Sequence, residues 1–381
     1  MLYFLTPEVL FSDLFKRNSG NEPFAWNNEL ALFSLGRTAL LNGLRLMAAE
    51  EKNRRELLVP SYICEGTLWP LRDAGFNIRY YSIDDNFGIR FSELDKKITK
   101  DTLALLIVHF FGIPQPVSEI KKFCVDKSIF LIEDCAHAFY GRDNNIPLGS
   151  TGDISFFSIR KFLPLADGAA LIVNNKNLRK NKVFNKSIAN RKKINYLKVF
   201  LQSVRNSIEA RYRVQMHRKR HFCPNDSIEK LCPRTDIDKD RKDFFDCEAI
   251  SHYSRRIFSG YDYALMSRRR RENYNILANT LSDIKGIHVP FKEAKEGWSP
   301  YALSLYVPEP SQLGIIRGLI GKGLFVTDWP TLPSDIEGNE KDSAYSKLKR
   351  IILFPVHQNI SSELMRSMGK VSAQVIERSL R

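Results

Sequence analysis

Residues 128–174 read SIFLIEDCAHAFYGRDNNIPLGSTGDISFFSIRKFLPLADGAALIVN, and the fold class turns on this stretch. It holds three apolar runs, SIFLIED (128–134), DISFFSI (153–159) and AALIVN (169–174), each too short for a helix. Their apolar character does not alternate, which is the mark of strands buried on both faces. Working outward, LLVP (57–60), NIRYYSID (77–84) and TLALLIVHF (102–110) repeat the pattern. Between the runs lie GRTALLNGLRLMAAEEKN, EGTLWPLRDAG and VSEIKKFCVDK, which read as helices. Strands alternating with helices predict an α/β fold with a large, mostly parallel sheet covered on both sides. In such sheets ligands bind beyond the carboxyl ends of the strands. That rule directs attention to His109, Asp134 and Lys161, each at or just past the end of a run.

Downstream of residue 175 the pattern changes. Tyr196, Phe200, Val204, Ile208 and Tyr212 recur every four residues, which predicts an amphipathic helix with Lys192, Lys193, Lys198 and Arg205 near or on its other face. A polar, turn-rich stretch follows. RRRRENYNILANTLSDI, SQLGIIRGLIGKG and SSELMRSMGKVSAQVIERS then read as helices, and SPYALSLYVP, LFVTDW and RIILFPVH as strands. The expected organisation is a large domain over residues 1–240, carrying a basic helical insert at 176–220, and a smaller C-terminal α/β domain over 241–381.

Composition bounds the function. The chain has 381 residues, 43% of them hydrophobic and 27% charged, as in ordinary globular proteins and unlike disordered ones. No apolar run approaches the roughly 20 residues of a membrane span. The N-terminus lacks a basic leader segment and a cleavage signature, and six scattered cysteines suit reduced thiols, so a cytoplasmic location is expected. The net charge of +15 is concentrated. Residues 176–220 carry 15 basic side chains against one acid, Glu209, and so hold +14 of it. A single basic segment on a nearly neutral body argues against a general nucleic-acid binder. Three uses remain open for it: a solvated flap, electrostatic steering of an anionic substrate, or weak contact with an anionic membrane surface.

Three local patterns carry chemistry. A lysine at the mouth of a buried sheet loses hydration, its pKa falls, and a neighbouring cation such as Arg160 lowers it further; Lys161 is therefore a candidate nucleophile. Ser158 precedes it by one turn. Asp134, ending the run in Glu133-Asp134-Cys135-Ala136-His137, is either a helix cap or a buried carboxylate that keeps a proton on a cofactor nitrogen. Pyridoxal phosphate (PLP) requires that pairing of lysine and carboxylate. Finally, Ser34-Leu35-Gly36-Arg37-Thr38 opens a helix, and backbone N–H groups at a helix start suit a phosphate. His217, His221, Cys223 and Cys232 have the side chains of zinc ligands but no common zinc spacing, and no metal is expected. His109 and His357 read as satisfied near-surface histidines.

Taken together, these patterns resemble the DegT/DnrJ/EryC1/StrS family of sugar aminotransferases, which are fold-type I PLP enzymes. The resemblance runs from Gly36 through VPSYIC, VHFFG, LIEDCAHAFYG, GSTGDISFFSIRK and DGAALIV to LFPVHQNISSE. It implies a fold-type I PLP-dependent transferase fold, with Lys161 binding the cofactor covalently and Asp134 on the pyridinium nitrogen. His137 stands where the family usually has a glutamine against the ring or its phenolic oxygen. Gly36, Arg37 and Thr38 match the phosphate turn, Ser158 is the matching hydroxyl, and Tyr62 or Cys64 lies where an aromatic covers the ring, Tyr62 being the physically better of the two. The implied activity moves an amino group from glutamate to a nucleotide-linked keto sugar in polysaccharide or amino-sugar synthesis, within a homodimer. Two alternatives stay open. One is another PLP reaction such as sugar dehydration, against which Lys161 argues because the family's dehydratase branch replaces the lysine with histidine. The other is a non-catalytic binding or regulatory protein that keeps the fold. Three departures stand out: Ser158 to Lys161 is an S-x-x-K spacing where the family usually has a longer gap, Asp167-Gly168-Ala169 replaces Asp-Gly-Gly, and SHYSRRIFSGYD lacks the Asn-x-Arg through which a neighbouring subunit reaches the phosphate.

Overall fold

The computed structural model describes residues 5–10, 12–13, 23–24, 30–180, 190–191, 196–212, 241, 244, 246–329 and 331–381. All six apolar runs of the first 175 residues form strands: β2 (Glu56–Pro60), β3 (Asn77–Tyr81), β4 (Thr102–Val108), β5 (Phe130–Asp134), β8 (Ile154–Phe157) and β9 (Ala169–Val173). A further strand, β1 (Leu30–Phe33), runs antiparallel to β9. With the two-residue strands β10 (Asn190–Arg191) and β11 (Glu248–Ala249), these make a nine-stranded sheet in the order β10-β11-β1-β9-β8-β5-β4-β2-β3. The neighbours β3, β2, β4, β5 and β8 are all parallel, and β9 returns antiparallel to β8. Every residue of β4, β8 and β9 is buried, which accounts for their unbroken apolar sequence. Arg142–Asp143 (β6) and Ile146–Pro147 (β7) form a separate small hairpin.

Helices α1 (Gly36–Glu50), α2 (Glu65–Asp73), α3 (Phe91–Lys97) and α4 (Val117–Asp126) alternate with these strands, and a short α5 (Lys176–Arg179) follows β9. The apolar side chains of the sheet and of α1 form one core cluster, which extends to Ile257, Tyr263 and Trp329. A second cluster lies among α8 (Tyr263–Leu281), β12 (Ala302–Tyr306), α9 (Ser311–Gly321), β13 (Ile351–Pro355) and α11 (Ser362–Ser379). There β12 and β13 pair antiparallel. Two more helices, α7 (His252–Ser259) and α10 (Ser343–Arg350), complete this half.

The structure corrects several expectations. LFVTDW is not a strand; only Thr327 makes a single bridge, to Leu353. One edge contact leaves the segment free to turn, and it delivers Asp328 and Trp329 into the cavity described below. The basic helix exists as α6 (Tyr196–Tyr212). Among its described side chains Ser203 and Asn206 are buried, and Asn206 Nδ2 donates to the Val9 carbonyl at 2.9 Å, while Phe200 is 43% exposed and Leu201 59%. His217, His221, Cys223, Cys232, Lys192 and Lys193 lie outside the described residues. The cysteines within them, Cys64, Cys124, Cys135 and Cys247, are free thiols. No helix among the described residues is long and apolar enough to cross a membrane.

Candidate active site

The carboxyl ends of β4, β5 and β8 converge on one cavity of about 210 Å³. Tyr62, Cys64, Asp134, His137 and Lys161 line it, together with Tyr301 and Trp329 from the second half of the chain. Lys161 arrives on a single turn of 3-10 helix, Ile159–Lys161, directly after β8 and Ser158. Its Nζ lies 2.9 Å from His137 Nε2 and 5.7 Å from the centre of the Tyr301 ring. Burial pulls the Lys161 amine down to about 8; Asp134 and Cys64 oppose the shift, and Arg160 and Arg37 add to it. At neutral pH the amine is thus partly deprotonated, as a nucleophile requires.

His137 holds the centre of the site. Its ring stacks on Tyr301 at 4.6 Å and 7° between planes, Phe111 stacks at 5.7 Å and 12°, and Trp329 meets it edge-on at 5.8 Å. Burial, reinforced by Lys161, pushes the His137 pKa well below its ordinary 6.5, so the ring is neutral and accepts from the lysine amine. Its buried Nδ1 has no hydrogen-bond partner. Asp134, at the end of β5, accepts the Ala136 N–H on Oδ1 at 2.8 Å. Burial raises its carboxyl to about 6, against the opposing effects of that hydrogen bond, Lys161 and His109.

The floor beneath Asp134 is built by Glu133 and His109. Both are fully buried, which corrects the near-surface reading of His109; His357 is buried as well. Glu133 Oε1 accepts N–H groups from Thr151 (2.9 Å) and Gly152, and Oε2 accepts from Gly149 (2.9 Å) and from His109 Nε2 (3.1 Å). His109 Nδ1 in turn accepts the Gln115 N–H at 3.0 Å, which fixes the tautomer with hydrogen on Nε2. Burial favours a protonated Glu133, yet the His109 and backbone hydrogen bonds prevail and hold it below its ordinary value. Cys135 lies close by, its thiol pushed well up by burial. The spacing of His109, Glu133 and Cys135 would suit a metal, but both His109 nitrogens are already engaged by protein groups.

Gly36, Arg37 and Thr38 do not line the cavity; they start α1 beside it. Leu35 offers no side-chain cap, and the first intrahelical bond runs from Ala39 to Leu35. A methyl group placed on Gly36 would lie 3.8 Å from Ser158 Cβ, so the serine sits against this helix start. The buried hydroxyls of Ser34, Thr38 and Tyr62 have no hydrogen-bond partner. Tyr62 packs 4.6 Å from Trp329, and Cys64 Sγ lies 3.3 Å from Thr331 Oγ1.

Sequence reading missed Tyr301, Trp329, Phe111 and the Glu133–His109 pair. Tyr301 and Trp329 sit inside apolar runs that read as strands, Phe111 lies just past the end of one, and their approach to His137 depends on contacts between distant segments. Phe111 is held by a left-handed backbone (φ 56°), and Gly112 beside it (φ 90°) leaves room for Ser299, Pro300 and the His137 carbonyl.

A parallel sheet carrying a buried lysine and carboxylate at its carboxyl edge, with a smaller α/β unit supplying the opposite wall, has the architecture of fold-type I PLP transferases. Residues 29–200, just under half of the chain, match the sequence profile of the DegT/DnrJ/EryC1/StrS aminotransferase family. The chain is 28% identical over 138 residues to GDP-perosamine synthase of Escherichia coli O157:H7, a match covering 35% of this chain and 38% of that protein. It is 29% identical over 141 residues to UDP-N-acetyl-3-dehydro-alpha-D-glucosamine 3-aminotransferase of Acidithiobacillus ferrooxidans, covering 36% and 38%. These matches therefore span well under half of either relative. The fold extends further: Helicobacter pylori PseC, an aminotransferase of pseudoaminic acid biosynthesis, superposes with a TM-score of 0.70 over 99% of both chains at 15% identity.

Proposed function

We propose that this protein is a PLP-dependent aminotransferase that moves an amino group from glutamate to a nucleotide-linked keto sugar. The observation that carries the reading is the pairing of Lys161 Nζ with neutral His137 at 2.9 Å, in the same cavity as Asp134. The residues present fit the cofactor. A desolvated amine, a buried carboxylate at a strand end, an uncapped helix start and several unpartnered buried polar atoms are what a phosphorylated, protonated pyridine would engage. In this reading Asp134 holds the ring-nitrogen proton, the N–H groups of Gly36, Arg37 and Thr38 with the Ser158 hydroxyl hold the phosphate, and Tyr62 covers the ring. When bound, PLP supplies an electron sink for the amino acid's α-carbon.

The chain's own residues do the rest. Lys161, with its pKa near 8, takes up a proton and returns it at neutral pH. His137 keeps the amine in place without competing for the proton, because its own pKa is far lower. The aromatic wall of Tyr62, Phe110, Tyr301 and Trp329 excludes water, which strengthens the Asp134 and Lys161 interactions. The family's names point to nucleotide sugars, among them the GDP-linked and UDP-linked substrates of the relatives above. A GDP-4-keto-6-deoxy-D-mannose 3-dehydratase of Yersinia pseudotuberculosis is also similar, at 32% over 108 residues. Lys161 favours amine transfer, since the dehydratase branch carries histidine there. We further propose a cytoplasmic homodimer.

The test is a panel of nucleotide keto sugars incubated with the PLP-loaded protein and glutamate, following release of 2-oxoglutarate. Release that depends on the sugar and vanishes in Lys161→Ala is expected. A sugar-dependent loss of water without amine transfer would refute the reading.

A further inference from the structure

Arg270 is the largest fully buried side chain among the described residues, and the proposed chemistry does not use it. It lies on α8, yet its guanidinium reaches backbone of both halves of the site. Nη2 is 3.4 Å from the Lys161 carbonyl and 3.3 Å from that of Phe162; Nη1 is 3.3 Å from Pro300 O and 3.4 Å from Tyr301 O. Nε donates to Gln358 Oε1 at 3.0 Å, and Gln358 Nε2 in turn donates to Phe162 O at 2.8 Å and to Tyr261 Oη at 2.9 Å. The cation also sits 4.4 Å from the centre of the Phe162 ring.

None of these partners is a carboxylate. A buried charge is costly unless it is well hydrogen-bonded, and replacing it by an apolar side chain is often no loss of stability. What an apolar residue cannot do is grip four carbonyls on two separated segments with one rigid fork. Those segments carry two of the groups that contact His137: Lys161 through its amine and Tyr301 through its ring.

We infer that Arg270, braced by Gln358, is a positioning residue that locks the 161–162 and 300–301 backbones together, so that the Lys161 amine stays in its desolvated place against His137. The inference rests on the proposed role of Lys161. The groups facing the amine are His137, Asp134, Cys64, Arg160, Arg37 and Tyr301; those facing the guanidinium are Tyr261 and Tyr301. Burial lowers Arg270 to about 9, above the value of about 8 for the Lys161 amine, so the guanidinium is mainly cationic where the parent's amine titrates.

The experiment reads the amine directly. Full-length protein without cofactor is acetylated with trace reagent across a pH series, and labelling at Lys161 is quantified by peptide mass spectrometry against exposed Lys52. The parent should show half-maximal labelling near pH 8. Arg270→Lys keeps the charge but loses the fork, and Gln358→Ala keeps Arg270 itself while releasing Phe162. Each should move the midpoint up by about one unit as the amine regains water. Since neither variant removes a cation, such a shift reports position and not lost charge. Folded variants that titrate like the parent would overturn the inference, and if Arg270→Lys does not fold, Gln358→Ala decides alone. A parent midpoint at the ordinary lysine value would instead defeat the Lys161 reading on which the inference depends.

Discussion

Replacing Glu133 by glutamine changes one oxygen to an amide nitrogen and almost no volume, yet a large loss of stability is expected. Each Glu133 oxygen accepts two hydrogen bonds: Oε1 from Thr151 and Gly152, Oε2 from Gly149 and His109. Whichever way the amide turns, its NH2 faces two donors. His109 cannot relieve the conflict by changing tautomer, because Nδ1 is needed to accept the Gln115 N–H. Two buried donors are left facing a donor at about 1–3 kcal/mol each, so the expected cost is about 4 kcal/mol, a large share of a typical domain's stability. In urea this should lower the unfolding midpoint by roughly 1 M. The pH dependence supplies a second check. The folded-state pKa of Glu133 is depressed, so its contribution is full above the ordinary glutamate value of 4.5 and is lost as pH falls through the folded value. The gap between parent and variant should therefore narrow in acid. A midpoint within about 0.2 M of the parent at pH 7 would refute this account of the site's floor.

Lys161→Ala is expected to fold but to lose turnover by several orders of magnitude, because nucleophile and proton carrier disappear together; steady-state 2-oxoglutarate release measures it. Asp134→Asn should transaminate poorly while making the cofactor-free fold more stable at pH 7.5 by about 1–3 kcal/mol, by relieving a buried charge. The sign follows from a folded pKa raised to about 6: the ionised carboxylate destabilises above that pH, and the gain should fade as pH falls towards 4, as urea unfolding at several pH values will show. Gly112→Ala would put a methyl group 2.5 Å from Ser299 O, 2.8 Å from Pro300 Cα and 2.9 Å from His137 O, all backbone atoms, at a φ of 90°. A loss of about 2–4 kcal/mol is expected in the same unfolding assay, and a variant as stable as the parent would show that these segments can separate freely.

Much of this protein is written locally. Strands buried on both faces must be apolar throughout, so β4, β8 and β9 are visible as runs, and Asp134 and Lys161 are visible as polar residues placed where the runs of β5 and β8 end. The helices announce themselves by their spacing. Other features depend on partners that no local window contains. LFVTDW has a strand's composition, but only Thr327 finds an edge to pair with. The α6 helix has an apolar repeat, yet among its described side chains Ser203 and Asn206 are buried and Phe200 is exposed, with Asn206 donating to the Val9 carbonyl of the N-terminal segment.

What the sequence by itself determined is the α/β order of elements and the lysine and carboxylate at the mouth of the sheet, because burial on both faces and strand polarity are properties of contiguous residues. Only the tertiary structure decided how that lysine is poised. Its partners are His137, 24 residues away, Tyr301 from the other half of the chain, and the Arg270 fork that holds both backbones. Desolvation and hydrogen-bond geometry arise from atoms brought together in space, and it is these that set the pKa of Lys161 and the tautomer of His109.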